Sequence, residues 1–464
     1  MELKYDQTSP QSIETFGKRL IDGTLRTVIG VKKIPNPELE RRISAHGRGS
    51  FGELVETFYY DIHPGNDSVP DFTEAGVELK TTPIKQIRSA RYSAKERLVL
   101  GLINYREEAK RSFQTSSFFT KNERLMIISY LHDKGVVVGD LIVKIAKLVE
   151  YEKLPLEDRK IIHGDWEKII EKIRAGKAHE LSEGDTLYLG ACTKSSDSSV
   201  MRTQVGDIPA KPRAYSFKSG YMTELVRREL EGEASEDERA LKPSEAGQPM
   251  SFEDLIIKKF QPLIGKTVEE IHAFVGKGLN DMTKDYHAAL ARRMMGVKGA
   301  RVMEFDAAEI SMKTIQLRKD GMPKEHMSFP AFKYKEIVQQ VWDGDEGPGG
   351  ARAAFQEQVE KRFFFVIYQC GGDCKRGDQR RLKKVMFWSM PFDDRREAEK
   401  TWRKTVRQIK AGRADDLPGV KENRVAHVRP HARDSSDTDE TPDKQHLVKK
   451  CFWLNQAYLK EVVK

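Results

Sequence analysis

Two short apolar runs, "RLMIISYL" from Arg124 and "RFFFVIYQC" from Arg362, read as buried strands, since a strand covered on both faces shows little polar alternation. Two longer segments, "WEKIIEKIRAGKAHEL" from Trp166 and "WRKTVRQIKAGRADDL" from Trp402, space their apolar residues as an amphipathic helix does. Both reach an Ala-Gly pair where such a helix would end. A different pattern holds in "DFTEAGVELKTTPIK", residues 71–85, where Val77 and Leu79 alternate with Glu78 and Lys80. Successive strand side chains point to opposite faces, so a strand here buries the first pair and presents the second together. Asp71 stands seven positions before Glu78, just after Pro70, where a turn is expected.

These elements are written twice, in the same order. "KERLVLGLINYREEA" from Lys95 answers "KEHMSFPAFKYKEIV" from Lys324, with nine positions from Glu96 to Tyr105 and from Glu325 to Tyr334. "YSFKSGYM" from Tyr215 parallels "FWLNQAYL" from Phe452, and "EFDAAEISMKTIQLR" from Glu304 is a worn copy of the 71–85 stretch. In-order self-similarity is the mark of a duplicated unit. The expected fold is therefore α/β, with two tandem domains of about 200 residues each, within the ordinary domain range. We place them at 1–230 and 251–464. The acidic, Pro- and Gly-punctuated stretch 231–250 reads as an exposed linker, and "ARDSSDTDETPDKQ" from Ala432 as a second flexible stretch.

Composition narrows the class. At 464 residues, 38% hydrophobic and 33% charged, the chain is expected to be soluble, multi-domain and globular. No apolar run approaches the ~20 residues that span a bilayer, and the first residues lack the apolar core of a signal peptide, so a cytoplasmic protein is expected. Four cysteines, with only Cys370 and Cys374 close together and no suitably spaced histidines, favour reduced thiols over a zinc site. The net charge of +9 permits nucleic acid as a partner without demanding it.

Candidate chemistry gathers around residues 71–80. Magnesium takes hard oxygen ligands and keeps several waters, so one or two carboxylates and a substrate phosphate are enough to hold it. Such an ion lowers the pKa of bound water and offsets charge on a phosphodiester. A nearby lysine can orient the attacking water. Asp71 at a turn, then Glu78 and Lys80 on one strand face, supply those groups, although a solvated strand edge would show the same letters. Upstream, "HGRGSFGELVETFYY" from His46 has Phe51, Leu54, Val55 and Phe58 as a helical apolar stripe. Glu53 and Glu56 are its acidic candidates, Glu53 reading as solvated. In the second copy, aligning Asp71 with Glu304 puts Ser311 where Glu78 stands and keeps Lys80 as Lys313, while Glu56 becomes Arg292. A serine supplies no anionic ligand, so the second copy keeps packing residues and loses its metal site.

"DFTEAGVELKTTPIK", "FGELVE", "KERLVLGLINY", "GKAHELSEGDTLYLGACTK" and "AKPRAYSFKSGYMT" resemble the MutH-like nucleases. More closely, with "MSFPAFKYKEI", "FWSMP" and "HVRPH", the chain is similar to the two-domain type II restriction endonucleases that cut GATC. That resemblance implies two PD-(D/E)xK nuclease folds, the second degenerate. The first would cut both strands before the G with Mg2+, leaving 5′ overhangs, through Glu56, Asp71, Glu78 and Lys80. The second would bind another GATC duplex, as in type IIE enzymes. Double-stranded DNA, two sites at once and dimerisation on DNA are the implied partners. The linker and the acidic "DSSDTDETPDK" stretch depart from the family in detail, which bears on domain spacing. Bases in the major groove are read by side-chain donors and acceptors. The candidates for such contacts are Arg202, Lys211 and Arg213 in the first half, with a solvated loop or nonspecific phosphate contacts as the alternative, and His427, Arg429 and His431 in the second. A partner-activated nicking repair nuclease and a non-catalytic DNA-binding protein are the rival readings.

Overall fold

The computed structural model describes residues 5–30, 37–44, 50–62, 69–88, 91–194, 199–280, 283, 285–344, 351–370 and 379–464. The first half opens with helix α1 (Pro10–Gly17) and a short helix α2 (Ser50–Leu54) that widens into a π-turn over Val55–Tyr60. There follow β1 (Glu78–Arg88), β2 (Arg91–Ala94), β3 (Leu98–Leu102), α3 (Ser117–Asn122), β4 (Arg124–Leu131) and β5 (Val143–Glu150). The 19-residue helix α4 (Leu156–Arg174) leads to β6 (Leu189–Thr193), β7 (Arg213–Phe217) and α5 (Ser219–Leu230).

β1, β2, β4 and β5 form one sheet in the order β2-β1-β4-β5, with β1 and β4 parallel and the other pairs antiparallel. β3, β7 and β6 form a second, antiparallel sheet. One face of the first sheet buries Val77, Leu79, Met126 and Ile128 against Ile13 and Phe16 of α1 and Phe51, Leu54 and Val55. Its other face turns Leu125 and Ile127 toward the second sheet and the apolar stripe of α4. The alternation read at Val77 and Leu79 is thus a real buried face.

The second half repeats the plan. After α6 (Tyr286–Met294) and α7 (Met303–Ala307) come β8 (Ser311–Leu317), β9 (Met327–Ala331), β10 (Phe363–Gln369), β11 (Arg381–Trp388), the 19-residue α8 (Phe392–Lys410) and β12 (Ala426–Pro430). A small hairpin, β13 (Thr438–Glu440) and β14 (His446–Val448), and then β15 (Lys450–Leu454) complete it. β8 lies parallel to β10, and β10 antiparallel to β11, as β1, β4 and β5 do. β9, β15 and β12 match β3, β7 and β6. Ser311 faces Phe363 where Glu78 faces Leu125, and Lys313 faces Phe365 where Lys80 faces Ile127. The duplication and its alignment at Ser311 and Lys313 therefore hold in the backbone register.

Four expectations change. The stretch 231–250 is not wholly exposed: Ala240 and Leu241 are buried in a core shared by the two halves, and Arg239 pairs with Glu157 and Glu233. Their burial follows from Glu304, which is helical rather than part of a turn. Its carboxylate accepts the N–H groups of Ala240 and Leu241 at 2.8 and 2.9 Å, and burial raises its pKa. Glu304 thus occupies Asp71's place in sequence without its role. The stretch from Ala432 carries the β13–β14 hairpin and the fully buried Thr441. Finally, Cys192 and Cys451 are free and buried, whereas Cys370 is disulfide-bonded; its sequence neighbour Cys374 lies outside the described residues.

Leaving two buried N–H groups without an acceptor costs roughly 1–3 kcal/mol for each. Glu304→Ala should therefore lower unfolding stability by about 2 kcal/mol or more in a denaturant titration. A change below about 0.5 kcal/mol, typical of a surface substitution, would show that Glu304 does not hold the connecting segment.

Candidate active site

Asp71 and Glu78 meet because the chain between them folds back on itself. Phe72 and Val77 pair antiparallel, with Phe72 N–H donating to Val77 O at 2.9 Å. The turn over Thr73–Gly76 ends with Gly76 at φ +62°, a left-handed conformation that costs a glycine little. The Glu78 carboxylate then holds the Asp71 backbone, and the Asp71 carboxylate the backbone just after Glu78. Leu79 N–H donates to Asp71 Oδ2 at 2.9 Å, and Asp71 N–H donates to Glu78 Oε2 at 3.2 Å.

Glu78 is not presented to solvent as simple alternation suggests. Its side chain is 2% exposed, because Lys80 and Lys121 close over it. Lys80 Nζ lies 2.5 Å and Lys121 Nζ 3.4 Å from Glu78 Oε1. Burial raises the Glu78 pKa, although Lys80 opposes the shift. Desolvation outweighs a contact ammonium here, so the carboxylate is poised to gain from a further cation. Glu56, on the π-turn, is pushed up to about 7, first by burial and then by the neighbouring charge of Asp71. A π-turn re-aims side chains within a helix and is frequent at functional sites. Glu53 on the same segment is exposed, as expected of a solvated position. His46, at the start of that motif, lies outside the described residues.

The structure thus brings Glu56, Asp71, Glu78 and Lys80 together and adds Lys121, which the sequence reading missed. Lys121 sits near the end of α3, three residues before β4 begins. Its relation to Glu78 exists only because β4 lies beside β1. Among the described residues no three His, Cys, Asp or Glu side chains form a metal cage by themselves. Two hard carboxylates with one oxygen-rich neighbour fit a cation of the magnesium type, which completes its shell with water and phosphate oxygens.

The positions considered for base contacts divide in two. Arg202 is exposed beside its bridge partner Ala210, and Lys211 Nζ pairs with Asp343 Oδ2 of the second half at 2.6 Å. Arg429 is exposed with its guanidinium 5.1 Å over the Trp453 ring, and the exposed His431 meets the same ring edge-on at 5.4 Å. Arg213 and His427 point inward. Arg213 donates to Ala191 O and Leu181 O, both at 2.6 Å. His427 is 1% exposed, bonded through Nδ1 to Asn455, and burial lowers its pKa to about 4. Neither can reach a groove without unfolding its surroundings.

In the second copy, Lys313 lacks the acids that surround Lys80. Burial and the like charge of Lys361 lower its pKa.

Residues 60–165 match the family model described as DNA mismatch repair enzyme MutH, a span that includes Asp71, Glu78, Lys80 and Lys121. The chain is 35% identical over 474 aligned positions to the type II restriction enzyme Sau3AI of Staphylococcus aureus, covering 90% of this chain and 92% of that protein. It is also 23% identical to the DNA mismatch repair protein MutH of Shewanella sp. strain ANA-3, over 39% of this chain and 79% of that one.

The raised Glu56 and Glu78 pKa values set a pH dependence. A carboxyl whose folded pKa lies above its unfolded value favours the fold fully below the unfolded pKa. That contribution is lost as pH rises through the folded value. Between the ordinary 4.5 and about 7, the cation-free protein should lose thermal stability through Glu56. Glu56→Gln should flatten that fall, and a divalent cation should raise the melting temperature more at pH 8 than at pH 5. A melting profile unchanged by Glu56→Gln would show that this carboxyl is not strained.

Proposed function

Since the chain belongs to the type II restriction enzymes, the family of Sau3AI, and is a site-specific deoxyribonuclease acting on DNA, we propose that it makes metal-dependent double-strand cuts at GATC. Residues 1–230 are the catalytic module in this reading. Residues 251–464 are a pseudo-nuclease that binds a second GATC duplex. The observation that carries it is the mutual bracing of Asp71 and Glu78 beside Lys80, intact in the first copy and dismantled at Ser311 in the second.

Magnesium, when bound, supplies a Lewis acid that lowers the pKa of water and offsets charge on the scissile phosphate. Asp71 and Glu78 are the carboxylates that would hold it, with Glu56 as the neighbouring acid. Leu79 N–H keeps Asp71 oriented, so the pair is preorganised before substrate arrives. Lys80 orients the attacking water and, with Lys121, neutralises negative charge that develops on the phosphate. Among the base-contact candidates, Arg202, Lys211, Arg429 and His431 are retained as DNA-facing, while the inward Arg213 and His427 are structural. In this reading the enzyme acts on DNA in the cytoplasm, pairing two sites and dimerising on it.

Glu78→Ala and Lys80→Ala should each cut on the order of 10³-fold more slowly, the scale seen when one transition-state contact is removed, with DNA binding kept. Cutting at the parental rate by either variant would remove these residues from the site. The specificity is tested with plasmid DNA, purified protein, magnesium or chelator, and sequencing of the ends. GATC ends with 5′ overhangs, lost with chelator, are expected. Nicks in one strand would favour the mismatch-repair type of activity, and random or chelator-resistant ends would overturn the proposal.

A further inference from the structure

The two halves touch through several polar bonds that end in loops beside the β3-β7-β6 sheet. These include Lys211 to Asp343, Ser389 Oγ to Gly184 O at 2.5 Å, and Arg395 Nη2 to Glu180 O at 2.6 Å. One contact leads elsewhere. Glu309 lies just past the end of α7 with φ +57°. Its Oε1 accepts the Ser219 hydroxyl at 2.6 Å and Gly220 N–H at 3.0 Å. A carboxylate from the second half thus caps the first turn of α5, which has no side-chain cap from its own flank. The backbones are in contact there: a Cβ on Gly220 would lie 2.2 Å from Asp306 O. One turn further, Arg301 Nη1 pairs with the buried Glu224 of α5 at 3.3 Å.

From this clamped end, α5 runs onto the sheet that carries the candidate active site. Thr223 Oγ1 accepts Ala94 N–H and Glu231 Oε1 accepts Tyr92 N–H, both at 3.0 Å. Both bonds fall on the open edge of β2, the outermost strand beside β1. Val226 packs with Ile84 of β1 and Ile145 of β5, and Glu229 pairs with Lys147 at 3.3 Å. Ile84 shares a face of β1 with Glu78 and Lys80, because strand side chains alternate. A 12-residue helix is stiff on this length scale, so displacement of its capped end is transmitted to the sheet rather than absorbed.

We propose that Glu309 is a positioning residue through which DNA on the second half reaches the catalytic sheet. It clamps the start of α5, and α5 sets the placement of β1 and β2 around Glu78 and Lys80. The proposal rests on the reading of residues 251–464 as a second DNA-binding module.

The test uses the full-length chain and a one-site plasmid, with and without a short GATC duplex added in trans. The readout is the ratio of stimulated to unstimulated initial rates. Coupling between sites is ordinarily about 5- to 150-fold. The parental protein should show stimulation within that range. Glu309→Ala should bring the ratio close to one, whatever its unstimulated rate. Glu309→Gln retains an oxygen that accepts both hydrogen bonds and should keep the stimulation. Thr223→Val, a milder change on the sheet-facing side of the same helix, should reduce it and covers the case in which Glu309→Ala does not fold. Ser389→Ala breaks another inter-half bond, to Gly184 O, and should leave it intact. Full stimulation in Glu309→Ala or, if that variant does not fold, in Thr223→Val overturns the inference, as does equal loss in Ser389→Ala. Absence of stimulation in the parental protein overturns the two-module reading itself.

Discussion

β1 lies parallel to β4 with Glu78 opposite Leu125 and Lys80 opposite Ile127. Because side chains alternate, a slip of one residue would turn both ionisable groups to the opposite face and drive Val77 and Leu79 out of their core. The same register carries the chain from α3 into β4 so that Lys121 arrives over the Glu78 carboxylate. The positions of Glu78, Lys80 and Lys121 thus follow from one strand pairing, which the apolar residues on its far face hold in place.

That pairing makes a costly environment affordable. A carboxylate as buried as Glu78 is stable when its oxygens are occupied, and here two lysines and the Asp71 N–H occupy them. Desolvation still prevails, so the site holds more negative charge than its surroundings favour. Preorganised acids of this kind gain more from a cation than solvated ones would. The same logic explains the degenerate copy. With Ser311 in place of the acid, Lys313 keeps its register but loses its counter-charges, and burial with Lys361 nearby disfavours its proton.

The two copies do not behave as beads on a string. A shared core runs from Ala94 to Val385, and buried bonds such as those of Glu304 to Ala240 and Leu241 stitch the connecting segment to the second half. Glu183 shows how tight the seam is: Arg97 and Lys218 beside it, with Arg352 of the other half, hold its pKa down to about 2 although little of it is exposed. Such an interface transmits displacement because packed interiors do not deform smoothly.

The sequence by itself determined the duplication, the α/β class, the apolar face of β1, the paired long helices and the acids at 71, 78 and 56. Each of these is a relation between residues close in the chain, or between two stretches of similar letters. Tertiary structure alone decided that Lys121 joins Glu78, that Glu304 braces the connecting segment instead of copying Asp71, and that Arg213 and His427 face inward while Arg202 and Arg429 do not. It also decided that Glu309 caps a helix 89 residues earlier at Gly220. Those outcomes depend on which elements cross in space. Local periodicity tells which face of a strand or helix is apolar, but carries no record of the distant residue that the fold lays against it.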